Sequence, residues 1–484
     1  MRLRAGSFRK VSAIVGGEQF RTATQALIAP PIGASAPKCS APGAADAAST
    51  GRQFVRQEAS PFDTRSSLTA TVVWLSLVIL ALLLVATFFV GQRGTYRAWT
   101  GGSLYAVLVT SWLFVQILLG HAEWRRQRRF RSRRHEDRVA VLIPTYNEDP
   151  SILRGCVQSA LNQDYDGPLQ VVVVDDGGKQ RLPSFKDLVE SSPPHRSLLC
   201  LRLPTNQGKR HAQAAGLRGA RGDYLVTMDS DTRLDPRAVD NALLQFEDPR
   251  VGAVTGVCLV DNRVSLLTRL IHLRYWNAFC QERASQSYLG VVTCCSGVFS
   301  VYRRRLVDGL TERYLNQRFL GRPCHYGDDR HLTNLLLWEG HEVRVALNAL
   351  AWTQAPTRLL TWARQQRRWS QSFYREFLWS LRFVHRRNFY FAYCLFFQAS
   401  LPLLLLYGLG RGLIAVGSGH PLVALRYAVA VVVMALLRGA YGMWLTRDPE
   451  FLLMPLYGFL HLFVVLPVRV LALFSLWDNR WGTR

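Results

Sequence analysis

Two uncharged stretches, LTATVVWLSLVILALLLVATFFV (residues 68–90) and GSLYAVLVTSWLFVQILLG (102–120), constrain this 484-residue chain more than any other feature. As a helix, each is long enough to cross a hydrocarbon core of about 30 Å, where the backbone must satisfy its own hydrogen bonds. They read as a membrane hairpin. Three more apolar regions follow, near 389–416, 422–444 and 451–477, and nothing between 139 and 355 has that character. The chain is therefore expected to hold a soluble block between membrane segments. The expected divisions are a disordered extension at 1–66, a transmembrane hairpin at 67–121, a cytosolic domain at 122–355, an amphipathic interface region at 356–388 and a transmembrane region at 389–484. Residues 1–66 are rich in Ala, Gly, Ser and Pro without a periodic apolar pattern, and no signal-peptide core precedes the first span.

The net charge of +25 suggests nucleic acid until its distribution is read. HAEWRRQRRFRSRRHEDR (121–138) places eight arginines directly after the second span. The positive-inside rule fixes that end in the cytoplasm, and anionic lipid headgroups attract the same charges, so no nucleic-acid partner is expected. Nine cysteines without a CxxC pair suggest reduced thiols, neither a disulfide framework nor a zinc site. Two spans before the soluble block and three after it would leave the terminal WGTR outside the cell. For that end to lie in the cytoplasm, one downstream region would have to be split or re-entrant: Pro455 and Pro467 interrupt 451–477, and 389–416 exceeds one crossing.

Between 139 and 231 the pattern is that of alternating strand and helix: VAVLI (139–143), PSILRGCVQSALNQ (150–163), LQVVVV (169–174), LLCLRL (198–203), KRHAQAAGLRGAR (209–221) and YLVTM (224–228). Continuous β-branched strands joined by helices predict an α/β fold with a doubly wound, mostly parallel sheet, inserted here between α-helical membrane segments. In such sheets ligands bind outside the carboxyl ends of the strands. The four exits read PTYNED, DDGGK, PTNQGKR and DSD, and three carry carboxylates. Asp, Asn and Gly are ordinary turn residues, but four polar exits on one edge point to a ligand site.

Asp229 and Asp231 flank a serine at the last exit. Carboxylates at alternate positions can converge on Mg2+ or Mn2+, hard cations that bridge to phosphate oxygens. Lys209 and Arg210, opening a helix, would add positive charge near the same phosphates. The expected ligand is a nucleoside diphosphate, and the absence of a GxxxxGK[ST] loop argues against an NTPase.

VLIPTYNE, VVVVDDGG and MDSD resemble the family-2 processive glycosyltransferases, membrane enzymes that polymerise sugars from UDP-sugars. CQERASQSYLGVVTCCSGVFSVYRR (280–304), YLNQRFLG (314–321), YGDDRHLTN (326–334), QQRRWSQSFYRE (365–376) and the terminal LYGFLHLFVVLPVRVLALFSLWDNRWGTR resemble the hyaluronan synthases within that family, over residues 67–484. The resemblance implies that Tyr146, Glu148 and Asp176 hold the uridine, that Lys209 lies near the diphosphate, and that Asp229 and Asp231 bind the metal. It implies that Asp329 of GDDR is the general base, with Asp328 and Arg330 binding substrate beside it. Gln365, Arg368 and Trp369 complete a QxxRW motif, the arginine for pyrophosphate oxygens and the indole for the acceptor sugar. Read alone, the surrounding TRLLTWARQQRRWSQSFYREFLWSLRFVHRR is a basic amphipathic helix for a membrane surface, and both readings are compatible. Cys294 matches the family cysteine near the acceptor, although Cys295 adjoins it and a buried cysteine is ordinarily a small hydrophobe.

The implied activity is polymerisation of hyaluronan from UDP-N-acetylglucosamine and UDP-glucuronate, with export of the growing polysaccharide through the enzyme's own membrane segment. The implied location is the plasma membrane, multi-pass, in contact with lipid and with the catalytic domain cytoplasmic. A chitin-type synthase using N-acetylglucosamine alone is the alternative enzyme. A non-enzymatic transporter would accommodate Arg438 within an apolar span but gives the acid-rich strand exits no purpose.

Overall fold

The computed structural model describes residues 100–130, 135–419 and 421–478. The expected extension 1–66, the span 68–90, residues 131–134 of the arginine run and the terminal WGTR lie outside the described residues. Helix α1 (Thr100–Gln127) contains the second apolar stretch.

The β-branched runs form four parallel strands, β1 (Val139–Thr145), β2 (Leu169–Asp175), β3 (Arg196–Arg202) and β4 (Tyr224–Met228), with Val139 opposite both Leu169 and Tyr224. A two-residue strand β5 (Arg233–Leu234), β6 (Val251–Val260), β7 (Phe299–Arg303) and β8 (Glu342–Thr353) complete an eight-stranded sheet of order β3-β2-β1-β4-β7-β6-β8-β5. Only β7 and β5 run antiparallel to their neighbours, so the expected mostly parallel sheet is observed.

Side chains alternate across each strand, and the core divides accordingly. Val139, Val141 and Ile143 of β1 join Val171 and Val173 of β2 under α2 (Pro150–Leu161), while Ala140, Leu142, Val172 and Val174 face α3 (Lys209–Gly219) on the other side. At roughly 1.5–3 kcal/mol for each large apolar side chain, two-sided burial is what holds these strands between helices. Gly216 lets α3 approach closely: a Cβ there would stand 3.0 Å from Val174 Cγ2.

Helix α4 (Leu266–Asn277) continues through a π-turn, Ala278–Arg283, into Ala284–Tyr288. Helices α5 (Arg304–Leu315) and α6 (Asp328–Trp338) cover the sheet face shared with α3, and α7 (Leu359–Ser380) lies in the basic amphipathic segment. Three apolar helices follow, α8 (Phe389–Gly417), α9 (Pro421–Thr446) and α10 (Pro449–Leu473). Among the described residues α8 and α10 are long and apolar enough to cross a membrane. A third apolar cluster, including Leu113 and Ile117 of α1, Leu270 and Trp276 of α4, Tyr441 of α9 and Tyr457 of α10, joins these helices to β6.

Of the two candidates for a split or re-entrant region, 389–416 forms one continuous helix, whereas 451–477 changes helical type along its length. Helix α8 runs unbroken past Pro402. In α10, a 3-10 segment (Pro449–Leu453) gives way to α-helix just before Pro455, and a π-turn (His461–Val465) gives way to α-helix just before Pro467, so both prolines sit at the start of an α-helical piece.

Candidate active site

The register of the parallel strands brings the exits of β1, β2 and β4 to one edge. Tyr146, Asp176, Asp229 and Asp231 all line a single cavity there, of about 1620 Å³. Asp176 accepts hydrogen bonds from the backbone N–H groups of Gln207 and Gly208, both at 2.8 Å, and so ties the β2 exit to the loop that starts α3. Glu148 stands outside the cavity lining, where it accepts a hydrogen bond of 2.7 Å from Ser230 and steadies the turn between the two aspartates.

Lys209, the first residue of α3, places Nζ 2.5 Å from Asp229 Oδ1 and 3.4 Å from Asp328 Oδ2. Burial opposes its charge, but the two carboxylates outweigh that and hold the ammonium well above the usual lysine range. Arg210 is a correction. It does not join Lys209 at the cavity but is 3% exposed, donating to the backbone oxygen of Tyr314 and to Gln317 Oε1. Successive helical residues point about 100° apart, so only one of the two basic side chains reaches the ligand edge.

The general-base candidate comes from α6. Gly327, in the left-handed region at φ +83°, turns the chain so that Asp328 and Asp329 occupy the first helical turn, and a side chain at this position would collide with Ser372 of α7. Burial opposes ionisation of Asp328, but Lys209 and then Arg210 bring its carboxyl below the ordinary value. Burial and then repulsion from Asp328 push Asp329 the opposite way. Two adjacent carboxyls thus differ in character, one a fixed anion and the other a stronger base. Cys294 donates from Sγ to Asp329 Oδ2 at 3.7 Å, and burial, reinforced by Asp329, pushes its thiol up to about 11. It is a neutral thiol lining the cavity. Cys295 points into the core and its N–H donates to Thr333 Oγ1 at 2.9 Å, so the structure separates the two cysteines that sequence alone leaves open.

Gln365, Arg368 and Trp369 of α7 line the cavity, as the helical spacing i, i+3, i+4 allows, and so does Arg330, whose guanidinium lies 5.3 Å from the Phe373 ring of α7. Trp369 is 42% exposed, its ring centroid 6.3 Å from that of Tyr275 on α4. The same cavity continues between the apolar helices past Phe397 and Leu409 of α8, Val429 of α9, and Leu462 and Arg469 of α10. Its volume exceeds the roughly 300–1,000 Å³ of an ordinary small-molecule site. Tyr275 and Arg283, both cavity-lining, come from the α4 segment, for which the strand–helix pattern gives no signal.

Asp229 and Asp231 offer hard oxygen donors on the cavity wall, and Asp231 also accepts from Thr353 Oγ1 at 3.3 Å. Among the described residues no three His, Cys, Asp or Glu side chains gather into a complete metal cluster. The two carboxylates are oxygen donors of the kind that Mg2+ or Mn2+ takes.

A sheet edge with Asp229 and Asp231 at one strand exit and Asp328 and Asp329 opposite them on one cavity fits a nucleotide-sugar transferase, and comparison with known proteins shows that class. The chain belongs to glycosyltransferase family 2: the model described as "Glycosyltransferase like family 2" matches residues 136–372, and close relatives span most of its length. It is 36% identical over 393 residues to a hyaluronan synthase of Streptococcus pyogenes, covering 79% of this chain and 90% of that one. It is also 36% identical over 350 residues to an N-acetylglucosaminyltransferase of Azorhizobium caulinodans, covering 72% and 87%. In overall fold it is similar to a mannosyltransferase of Pyrobaculum calidifontis solved with GDP-Man and Mn2+. That likeness has a TM-score of 0.53 and 22% identity and covers 78% of this chain and 99% of that one.

Proposed function

We propose that this glycosyltransferase polymerises hyaluronan from UDP-N-acetylglucosamine and UDP-glucuronate and passes the chain outward between α8, α9 and α10. The observation that carries the reading is the continuity of one cavity from Asp229 and Asp329 to residues of all three apolar helices. A site that only trimmed or tagged a small acceptor has no need of that extension. On this reading the enzyme is a multi-pass plasma-membrane protein, its catalytic domain cytoplasmic and α7 against lipid headgroups.

In the proposed mechanism Tyr146 and Asp176 bind the uridine, and Gln365 and Trp369 hold the acceptor sugar. Asp329 takes the proton of the acceptor hydroxyl as its oxygen attacks the anomeric carbon. The bond from that carbon to the UDP oxygen breaks with inversion, and the proton remains on Asp329 until solvent removes it. Lys209 and Arg368 balance the charge of the departing diphosphate. A magnesium or manganese ion held by Asp229 and Asp231 would supply further neutralisation there.

The similarity to an N-acetylglucosaminyltransferase at the same identity supports a second reading, a polymer or oligomer of N-acetylglucosamine alone. Purified enzyme given each UDP-sugar separately and then both separates the two. Hyaluronan synthesis requires both donors and gives a product cleaved by hyaluronan lyase, whereas polymer from UDP-N-acetylglucosamine alone would establish the chitin type.

A further inference from the structure

The buried network around Arg210 leads to a carboxylate that has no contact with the cavity. Glu376 of α7 is 2% exposed. Its Oε2 accepts from Asn334 Nδ2 at 2.7 Å, and His331 Nδ1 lies 3.1 and 3.3 Å from its two oxygens. Gln317 donates to Oε1 and in turn accepts from Arg210. Burial works against the charge, but His331 and Asn334 hold the carboxyl below its ordinary value, so it is an acceptor for all of these groups.

These partners lie on different elements, each tied to the site. Arg210 follows Lys209 on α3. His331 and Asn334 stand two and five residues after Asp329 on α6. Glu376 stands two turns beyond Arg368 and Trp369 on α7. A buried carboxylate unable to reach solvent or substrate is costly to retain, and here its hydrogen bonds fix the spacing between the base and the helix that presents the acceptor. We propose that Glu376 is a positioning residue that locks α6 against α7, so that Asp329 meets the acceptor hydroxyl held by Trp369.

The inference rests on the reading of Asp329 as base, and the experiment keeps the two apart. On the full-length detergent-purified enzyme, Glu376→Gln is expected to lower kcat for polymer formation by roughly 10- to 100-fold, the scale of a misplacement near 1 Å, while KM for each UDP-sugar and UDP affinity stay within about twofold. The double variant Asn334→Asp/Glu376→Gln exchanges donor and acceptor across the 2.7 Å contact and is expected to recover roughly tenfold of that loss. An unchanged kcat per folded molecule, kcat and UDP affinity falling together, or no recovery in the double variant would each overturn the proposal. If Glu376→Gln yields no folded enzyme, Asn334→Ala carries the same test: roughly a threefold or larger fall in kcat at constant KM supports it, and no fall overturns it. Asp329→Asn, measured alongside, reports on the base itself. Transfer surviving in that variant removes the underlying reading, whereas transfer lost there but unaffected in Glu376→Gln removes only the positioning role.

Discussion

At the scale of single residues the account divides binding from chemistry. Asp329→Asn should retain both UDP-sugars, measured by equilibrium binding, and lose transfer by about 10²–10⁴-fold, the usual contribution of a positioned base. Parallel loss of binding would make Asp329 a nucleotide contact instead. Because burial and Asp328 raise this carboxyl, and only its ionised form accepts the proton, kcat should decline as pH falls through a value above the ordinary aspartate figure of about 3.9. A pH–rate profile flat down to that figure would contradict the assignment. Asp231→Asn should abolish synthesis and weaken UDP binding in the presence of Mn2+ or Mg2+, and full activity in excess chelator would remove the ion from the mechanism. Trp369→Phe should keep part of the elongation rate and Trp369→Ala should shorten the product while slow UDP-sugar hydrolysis persists, since an aromatic face is worth roughly 0.5–1.5 kcal/mol beyond its area. Normal-length product from Trp369→Ala, with only its yield reduced, would assign the indole to membrane anchoring. DSD was readable from its place at a strand exit and QxxRW from the family resemblance, and both fall on the cavity. Adjacent pairs were not readable, because sequence does not say which of Lys209 and Arg210, or of Cys294 and Cys295, faces the ligand.

At the scale of elements the sheet was legible because burial on both faces demands continuous apolar runs such as those of β1 and β2. The α4 segment was not, because buried polar residues such as Asn277, Gln281 and Gln286 interrupt its apolar period, and a π-turn has no sequence period of its own. The interruptions expected at Pro455 and Pro467 coincide with changes of helical type in α10, from 3-10 to α before the first and from π to α before the second, because the cost of a proline depends on whether its missing N–H would have been bonded. One element junction gives a direct test. Gly327 combines a positive φ with close approach to Ser372, so Gly327→Ala should destabilise the protein by about 1–3 kcal/mol in thermal unfolding and lower kcat more than UDP affinity. A neutral effect on both would mean that α6 and α7 tolerate a wider gap than the site requires.

For the whole molecule, a soluble block flanked by apolar helices was foreseeable from the order of apolar and soluble segments, but the continuity of the cavity between them was not, since it depends on how α8, α9 and α10 pack. The central claim is that synthesis and export share that one space. Its most direct test is synthesis by the enzyme in sealed proteoliposomes supplied from outside with both UDP-sugars, followed by hyaluronan lyase with and without detergent. The account predicts polymer only when both donors are present, protected from lyase until detergent opens the vesicles. Product made from UDP-N-acetylglucosamine alone, or polymer digested fully in intact vesicles, would contradict it.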